Sequence, residues 1–275
     1  MEHLIRPNLA SNVTVAITPQ SAGWNCLSFM IINLKAGQSH NFETGENETA
    51  LVPLEGEGAF IVSGESFEVG RKSVFSELPH ILYVPPGHRV DVEAESGFEF
   101  AIGGAPAEGK YPVRLFGPAE IKTEIRGGGA ARRHVNHILA HPMPAERLIL
   151  YEVYVPGGSW SGWPPHCHDG YGGSPYLDEV YYFRIDSEDG LAVHRNYRID
   201  NDFDETFSVC HGDVILITQG FHTTAAAPGS NLYFLNYLAG DLFDEDRNKP
   251  PYDDPAHVWI KGNWDGNMME LPVIP

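Results

Sequence analysis

The stretch GGSWSGWPPHCHDGYGGSPYLDEVYYFRI, residues 157–185, places His-x-His after a double proline and a glutamate at the head of an apolar run. In an extended segment residues i and i+2 share a face, so His166 and His168 aim into one space while Cys167 faces away. Pro164 and Pro165 donate no ladder hydrogen bonds, which suits a strand entering at a rim. Glu179 begins the next strand, EVYYF, and offers a carboxylate from a neighbouring position. A third histidine follows in GDVILITQGFHTTAAAPG, where a buried apolar strand runs into a glycine turn that presents His222. Three imidazoles and one carboxylate suit one divalent ion among Zn, Mn, Fe, Ni and Co. Four such ligands leave positions open for water or substrate, which implies chemistry more than architecture. Most His-x-His pairs bind nothing; the weight here rests on the whole set and its order. The other histidines, His3, His40, His134, His137, His141 and His257, read as surface or structural groups.

Outward from this stretch, alternating strands recur in two groups. The first runs through NCLSFMIINLKAG, ETALVPLEGEGAFIVSGESFEVG, HILYVPPGHRVDVEAES and FEFAIGGAPA. The second runs through RLILYEVYVPGGSW, DEVYYFRI, AVHRNYRI, FSVCHGDVILITQGFHTTAAA and NLYFLNYLAG. Between them, EIRGGGAARRHVNHILAHPMPAE breaks the rhythm and reads as a flexible crossing. Period-two strands with frequent turns predict an all-β chain, an antiparallel sandwich or barrel. The likeness of YVPPGH to LITQGFH suggests two copies of one barrel. The boundaries expected are an N-terminal barrel over 1–118, a linker over 119–141, and a metal-binding barrel with a tail over 142–275.

Composition agrees and narrows the partners. The 275 residues are 42% apolar and 20% charged, a globular balance sufficient for one large or two ordinary domains. A net charge of −19 and a pI of about 4.9 repel phosphate backbones and anionic lipid, so neither nucleic acid nor membrane is expected as a partner. A small anionic substrate stays open, because charges are screened beyond about 8 Å at physiological salt. Cys26, Cys167 and Cys210 make an odd number without a framework spacing, which predicts a reducing compartment. MEHLIRPNLA shows no secretory pattern, and CLSFMIINL falls short of the ~20 residues of a membrane helix. A soluble cytoplasmic protein is expected.

The metal residues resemble the two-part cupin motif, Gly-x5-His-x-His-x(3,4)-Glu-x6-Gly followed by Gly-Asp, a Pro-x-Gly turn and a histidine. HCH at 166–168, Glu179, HGD at 211–213 and His222 match it in order and type. Ten residues separate His168 from Glu179, Thr218 stands where the turn proline belongs, and His222 comes one residue early. With those departures, GSWSGWPPHCHD, LDEVYYFR, GDVILITQGFH and APGSNLYFLNYLAG together resemble the 5-deoxy-glucuronate isomerase family, bicupin isomerases of myo-inositol catabolism. The resemblance is strongest over 147–241 and looser in the N-terminal half. It implies two cupin-type barrels in one chain and a homo-oligomer formed through the N-terminal barrel. That barrel offers His40 without a partner two residues away, then Glu48 and PPGHR. His88 directly follows its glycine, and a one-residue slip turns a side chain to the opposite face. The N-terminal copy is therefore expected to be structural and metal-free.

The resemblance also implies an aldose–ketose isomerisation of a small sugar acid, 5-deoxy-glucuronate to 2-deoxy-5-keto-gluconate. Proton removal beside a polarised carbonyl, through an enediolate, and a hydride shift between the same carbons are both open. Tyr181 shares the face of Glu179 and is the side-chain acid/base candidate, a metal-bound hydroxide being the alternative base. Arg195, then Arg184, are the candidates for the substrate carboxylate, with Arg133 a weaker one reaching in from the linker. Competing readings are an isomerase of a keto-deoxyuronate from pectin breakdown, a metal dioxygenase using the same ligands, and a non-catalytic sugar-acid binding module.

Overall fold

A computed structural model describes residues 2–265 and Met269; the rest of the expected tail lies outside the described residues. The chain begins with β1 (Leu4–Ile5), β2 (Val13–Ile17), a single helical turn α1 (Pro19–Ala22) and β3 (Ser28–Leu34). It continues through β4 (Ser39–Glu43), β5 (Asn47–Val62), β6 (Glu65–Arg71), β7 (Ile81–Val84), β8 (Arg89–Pro106) and β9 (Arg114–Phe116). Strands β2 to β9 form one antiparallel sheet of eight, in the order β2-β3-β8-β5-β7-β9, with β4 on β8 and β6 on β5. The register between β5 and β8 shifts at Pro53/Glu55 and Gly56/Gly58, and such bulges bend long strands. The sheet closes on Ile32, Leu51, Phe60, Val92, Phe98 and Phe100.

The second half holds β10 (Lys122–Arg126), β11 (Arg133–Leu139), β12 (Ile149–Val155), β13 (Trp160–Cys167), β14 (Leu177–Ile185) and β15 (Ala192–Tyr197). After these come β16 (Asp204–Val209), β17 (Val214–Ile217), β18 (Phe221–Ala226), β19 (Leu232–Gly240) and β20 (Tyr252–Asp253). They make two antiparallel sheets, β1-β17-β14-β19-β12-β11-β10 and β16-β15-β18-β13-β20. The sheets enclose Val153, Tyr181, Phe183, Ile217 and Phe234 from one side and Ala192, Val209 and Ala226 from the other. Among the described residues no helix is long and apolar enough to cross a membrane.

Two segments depart from the expected division. Residues 119–141, read as a flexible linker, hold β10 and β11, paired from Lys122↔His137 to Arg126↔Arg133 and continued onto β12. The glycines that suggested flexibility make the turn between those strands. At the other end, Leu4 and Ile5 cross to pair with Ile215 and Val214, so the first strand completes the second half's sheet.

The halves share a core. Phe29, Ile31, Val52, Leu54 and Tyr83 of the first pack with Leu150, Val180, Tyr182, Leu235 and Tyr237 of the second in one buried cluster. This explains why all nine residues of β14 are buried. Its odd positions, Glu179, Tyr181 and Phe183, face the second barrel's interior, and its even positions, Asp178, Val180, Tyr182 and Arg184, face the first half.

Candidate metal centre

Two sheets deliver the expected ligands to one place. Glu179 enters from β14; His166 lies on β13 directly opposite His222 on β18. The β13–β18 register shifts between Ser161 and His166, at Gly162 with φ +64°. Gly220, with φ +80°, makes the turn that launches His222, and a Cβ there would come 2.4 Å from the Tyr197 carbonyl oxygen. Asp169, directly after His168, accepts hydrogen bonds from the Gly220 backbone N–H (2.7 Å) and from Arg198 Nη1 (2.6 Å). One carboxylate thus ties the turn that carries His222 to the loop that follows His168. Cys167 points the other way, into a cluster with Tyr197 and Phe221.

The donor atoms converge. His168 Nε2 lies 2.7 Å and His222 Nε2 3.3 Å from Glu179 Oε2, and ligand atoms of these three residues lie within 4.8 Å of one another. Donors sharing an ion at about 2.0–2.2 Å stand at separations of this order. The His166 ring sits beside them, its centroid 4.5 Å from that of His222 and 6.4 Å from that of His168. His168 Nδ1 meets the Leu177 carbonyl oxygen at 2.9 Å, an arrangement that fixes the ring and leaves Nε2 for a ligand. Both ring nitrogens of His222 are shut from solvent, and among the described residues neither makes a well-formed hydrogen bond, the Glu179 carboxylate at 3.3 Å being the polar neighbour of Nε2. Buried polar atoms are rarely left so, and an ion on Nε2 supplies what that atom lacks. The donor set therefore fits a divalent first-row metal.

Electrostatics point the same way. Although burial opposes its charge, Glu179 is held well below the usual carboxylate range by His168 and His222. Burial, reinforced by His222 and His168, pushes His166 well below its ordinary value and keeps the imidazole neutral, the form that ligates. Burial, then Glu179, raises the Tyr181 phenol well above its usual range, so it stays protonated.

The residues border a cavity of about 400 Å³ lined by His166, His168, Glu179, Tyr181, Asn236 and a cationic wall of Arg126, Arg133, Arg247 and Lys249. Neither leading arginine candidate stands there. Inward places on β15 go to Ala192, His194 and Asn196, so Arg195 points outward by the period of two and pairs with Asp204 at 2.7 Å. Arg184 occupies an even position of β14 and reaches the first half, pairing with Glu99 at 2.6 Å and Glu55 at 3.2 Å. Arg133, expected as the weaker candidate, lines the cavity. Arg126, Arg247 and Lys249 escaped the sequence reading; the unrecognised β10–β11 pair and the 244–251 segment bring them in. In the N-terminal half, Glu48 accepts backbone N–H groups of Glu146, Arg147 and Leu148 and the Tyr83 hydroxyl, and His88 Nδ1 contacts the Pro86 carbonyl.

Two barrels around one shared core, with three histidines and a glutamate inside the second, define a cupin-type architecture with a candidate metal centre. Residues 3–260 match the KduI/IolB family, to which the chain belongs. It is 39% identical over 259 residues to the 5-deoxy-glucuronate isomerase of Geobacillus thermodenitrificans, covering 92% of this chain and 93% of that protein. It is 30% identical over 250 residues to the Bacillus subtilis enzyme of the same name, covering 89% and 91%. The crystal structure of an IolB-like protein from Salmonella typhimurium superposes with a TM-score of 0.90 at 33% identity, over 95% of this chain and all of that one. The Bacillus subtilis oxalate decarboxylase, 15% identical with a TM-score of 0.60 over 83% of this chain and 73% of its own, shares the fold.

Proposed function

We propose that this chain is an aldose–ketose isomerase that converts 5-deoxy-glucuronate to 2-deoxy-5-keto-gluconate. The observation that carries the reading is the convergence of His168, Glu179 and His222, with His166 beside them, on an open cavity, in a chain 39% identical to a 5-deoxy-glucuronate isomerase over nearly its whole length. His166, His168, Glu179 and His222 would hold one divalent ion, which when bound supplies Lewis acidity for a carbonyl and its neighbouring hydroxyl. The chain's own part is to bind, orient and protonate. The neutral His166 imidazole and the ionised Glu179 offer two donors to the ligand wall without competing protons. Tyr181, buried and protonated, is a donor that can deliver a proton to a substrate oxygen and take it back. The apolar residues Val135, Val153 and Phe234 beside it limit water at the reacting carbons.

Incubating the metal-loaded protein with 5-deoxy-glucuronate, followed by NMR, should show the ketose. Elemental analysis should find about one first-row metal ion per chain. His166→Ala should lose turnover while keeping its circular dichroism spectrum. Undiminished activity in that variant, or oxygen uptake with a catechol in place of isomerisation, would overturn the proposal.

A further inference from the structure

The cavity wall carries four cations, and three are already committed. Arg126 Nε pairs with Glu124 Oε1 at 2.6 Å. Both Arg247 amino groups are spent on backbone, Nη1 on the Ala145 and Asp244 carbonyls at 2.7 Å and Nη2 on that of Met143 at 2.6 Å. Lys249 stands 3.8 Å from Asp246. Arg133 differs: among the described residues its guanidinium makes one hydrogen bond, from Nη1 to the Ala131 carbonyl oxygen at 3.3 Å, so that, lacking a carboxylate partner as Arg247 does, it also keeps most of its N–H groups unspent. Burial, then the neighbouring Arg126, draws its pKa down to about 10. A desolvated cation without a counter-charge is costly, and in a chain of net charge −19 acidic partners are plentiful. Its isolation is built in. Gly127, at φ +74°, lets the Gly127–Ala131 turn fold over the guanidinium, where a Cβ would come 2.9 Å from Arg133 Nη1 and 2.2 Å from the Ala131 oxygen.

We infer that Arg133 receives the carboxylate of the substrate and so sets the preference of this site for a monoanionic sugar acid over the corresponding neutral sugar. The inference rests on the isomerase reading and adds to it the residue that recognises the acid end. Arg133 shares the cavity with Glu179, His166 and Tyr181 but belongs to the wall built by β11. In 5-deoxy-glucuronate the carboxylate is at the opposite end of the carbon chain from the aldehyde, so one end can meet the guanidinium while the other meets the ligand cluster. A guanidinium offers a planar fork that matches a carboxylate, and the missing counter-charge arrives with the substrate. Arg133 is thus a substrate-positioning residue, and its effect belongs to binding.

The test compares metal-loaded wild type, Arg133→Met and Arg133→Lys. Kinetics use 5-deoxy-glucuronate and the neutral 5-deoxy-hexose that bears a primary alcohol in place of the carboxylate. Calorimetry with glucuronate and glucose provides a readout independent of turnover. Arg133→Met should raise KM for the acid by about a hundredfold while kcat/KM for the neutral sugar stays near wild type, and Arg133→Lys should recover part of the loss. The calorimetric preference for glucuronate over glucose should collapse in parallel. An Arg133→Met protein that keeps the acid-over-neutral ratio, with wild-type metal content and melting temperature, overturns the inference. If Arg133→Met fails to fold, Arg133→Lys and Arg133→Gln carry the same ratio. Should wild type fail to turn over 5-deoxy-glucuronate, the proposed function falls, and the calorimetric ratio still decides the role of Arg133.

Discussion

Asp169 shows how much of a site can depend on a residue that touches neither ligand cluster nor substrate. Its carboxylate links the loop after His168 to the Gly220 turn before His222. Removing it strands a buried N–H and leaves Arg198 with Asp200 as its remaining carboxylate partner among the described residues, a loss of about 1–3 kcal/mol. Asp169→Ala should therefore lower metal content after dialysis against a weak chelator, while far-UV circular dichroism stays unchanged. Tyr181→Phe separates another role: it keeps the ring packed against Phe234 but removes the donor. Metal content should remain and kcat fall about a hundredfold, the usual scale of acid–base assistance, with KM little changed. At this scale the grouping of His168, Glu179 and His222, with His166 beside them, was legible because residue type, order and strand parity all constrained it. The arginines were not: alternation along β15 gives the inward place to His194 and turns Arg195 outward, while Arg126 and Arg133 line the cavity from strands without an apolar rhythm. Which even-numbered residues of β14 face the first half depends on a shared core that no local pattern displays.

The strands were legible wherever apolar and polar residues alternate or an apolar run ends at a glycine. Strands β14, β17 and β19 are all of this kind, buried on every residue. Strands β10 and β11 escaped because KTEIR and RHVNHIL are dominated by charged and polar side chains, and a run of glycines reads equally as a tight turn or a flexible crossing. The pairing with β12 decides their state, and it is contributed by a different part of the chain. Alternation along β13 has a consequence that can be read in solution. His166 faces the cavity and Cys167 is fully buried on the other face; Cys26 is buried between the halves, while Cys210 is exposed. Burial, with Asp178 beside it, raises the Cys26 thiol to about 12. A colorimetric thiol reagent should accordingly titrate one cysteine in the native protein and three in denaturant. Two fast-reacting thiols in the native state would contradict the placement of β13 or of the strand after Cys26.

A shared apolar cluster joins the two halves, and buried carboxylates add hydrogen bonds across the same boundary. Asp178, on the face of β14 away from Glu179, accepts the backbone N–H groups of Cys26 (2.8 Å) and Leu27 (3.1 Å) from the first half. Glu48 of the first half accepts three from residues 146–148 of the second, and Glu146 of the second accepts those of Glu108, Gly109 and Lys110. Arg71 and Glu152, both fully buried, pair across the same boundary at 2.6 Å, and the Tyr233 hydroxyl donates to the same carboxylate at 2.7 Å. A glutamate that the motif comparison places where a first-barrel metal ligand would stand is thus occupied in holding the second barrel's entry segment. Such an interface transmits unfolding. Without it the halves would melt separately, since each also has a core of its own. Glu48→Gln replaces an acceptor of several N–H groups by an amide with one oxygen, and its new NH₂ faces donors. The expected cost is about 3 kcal/mol, with a lower melting temperature and a transition that remains single. Calorimetry decides between the alternatives: a second, separately moving transition in Glu48→Gln would mean that the shared apolar cluster cannot couple the barrels without the carboxylates, whereas one shifted peak assigns the coupling to the core and only part of the stability to Glu48.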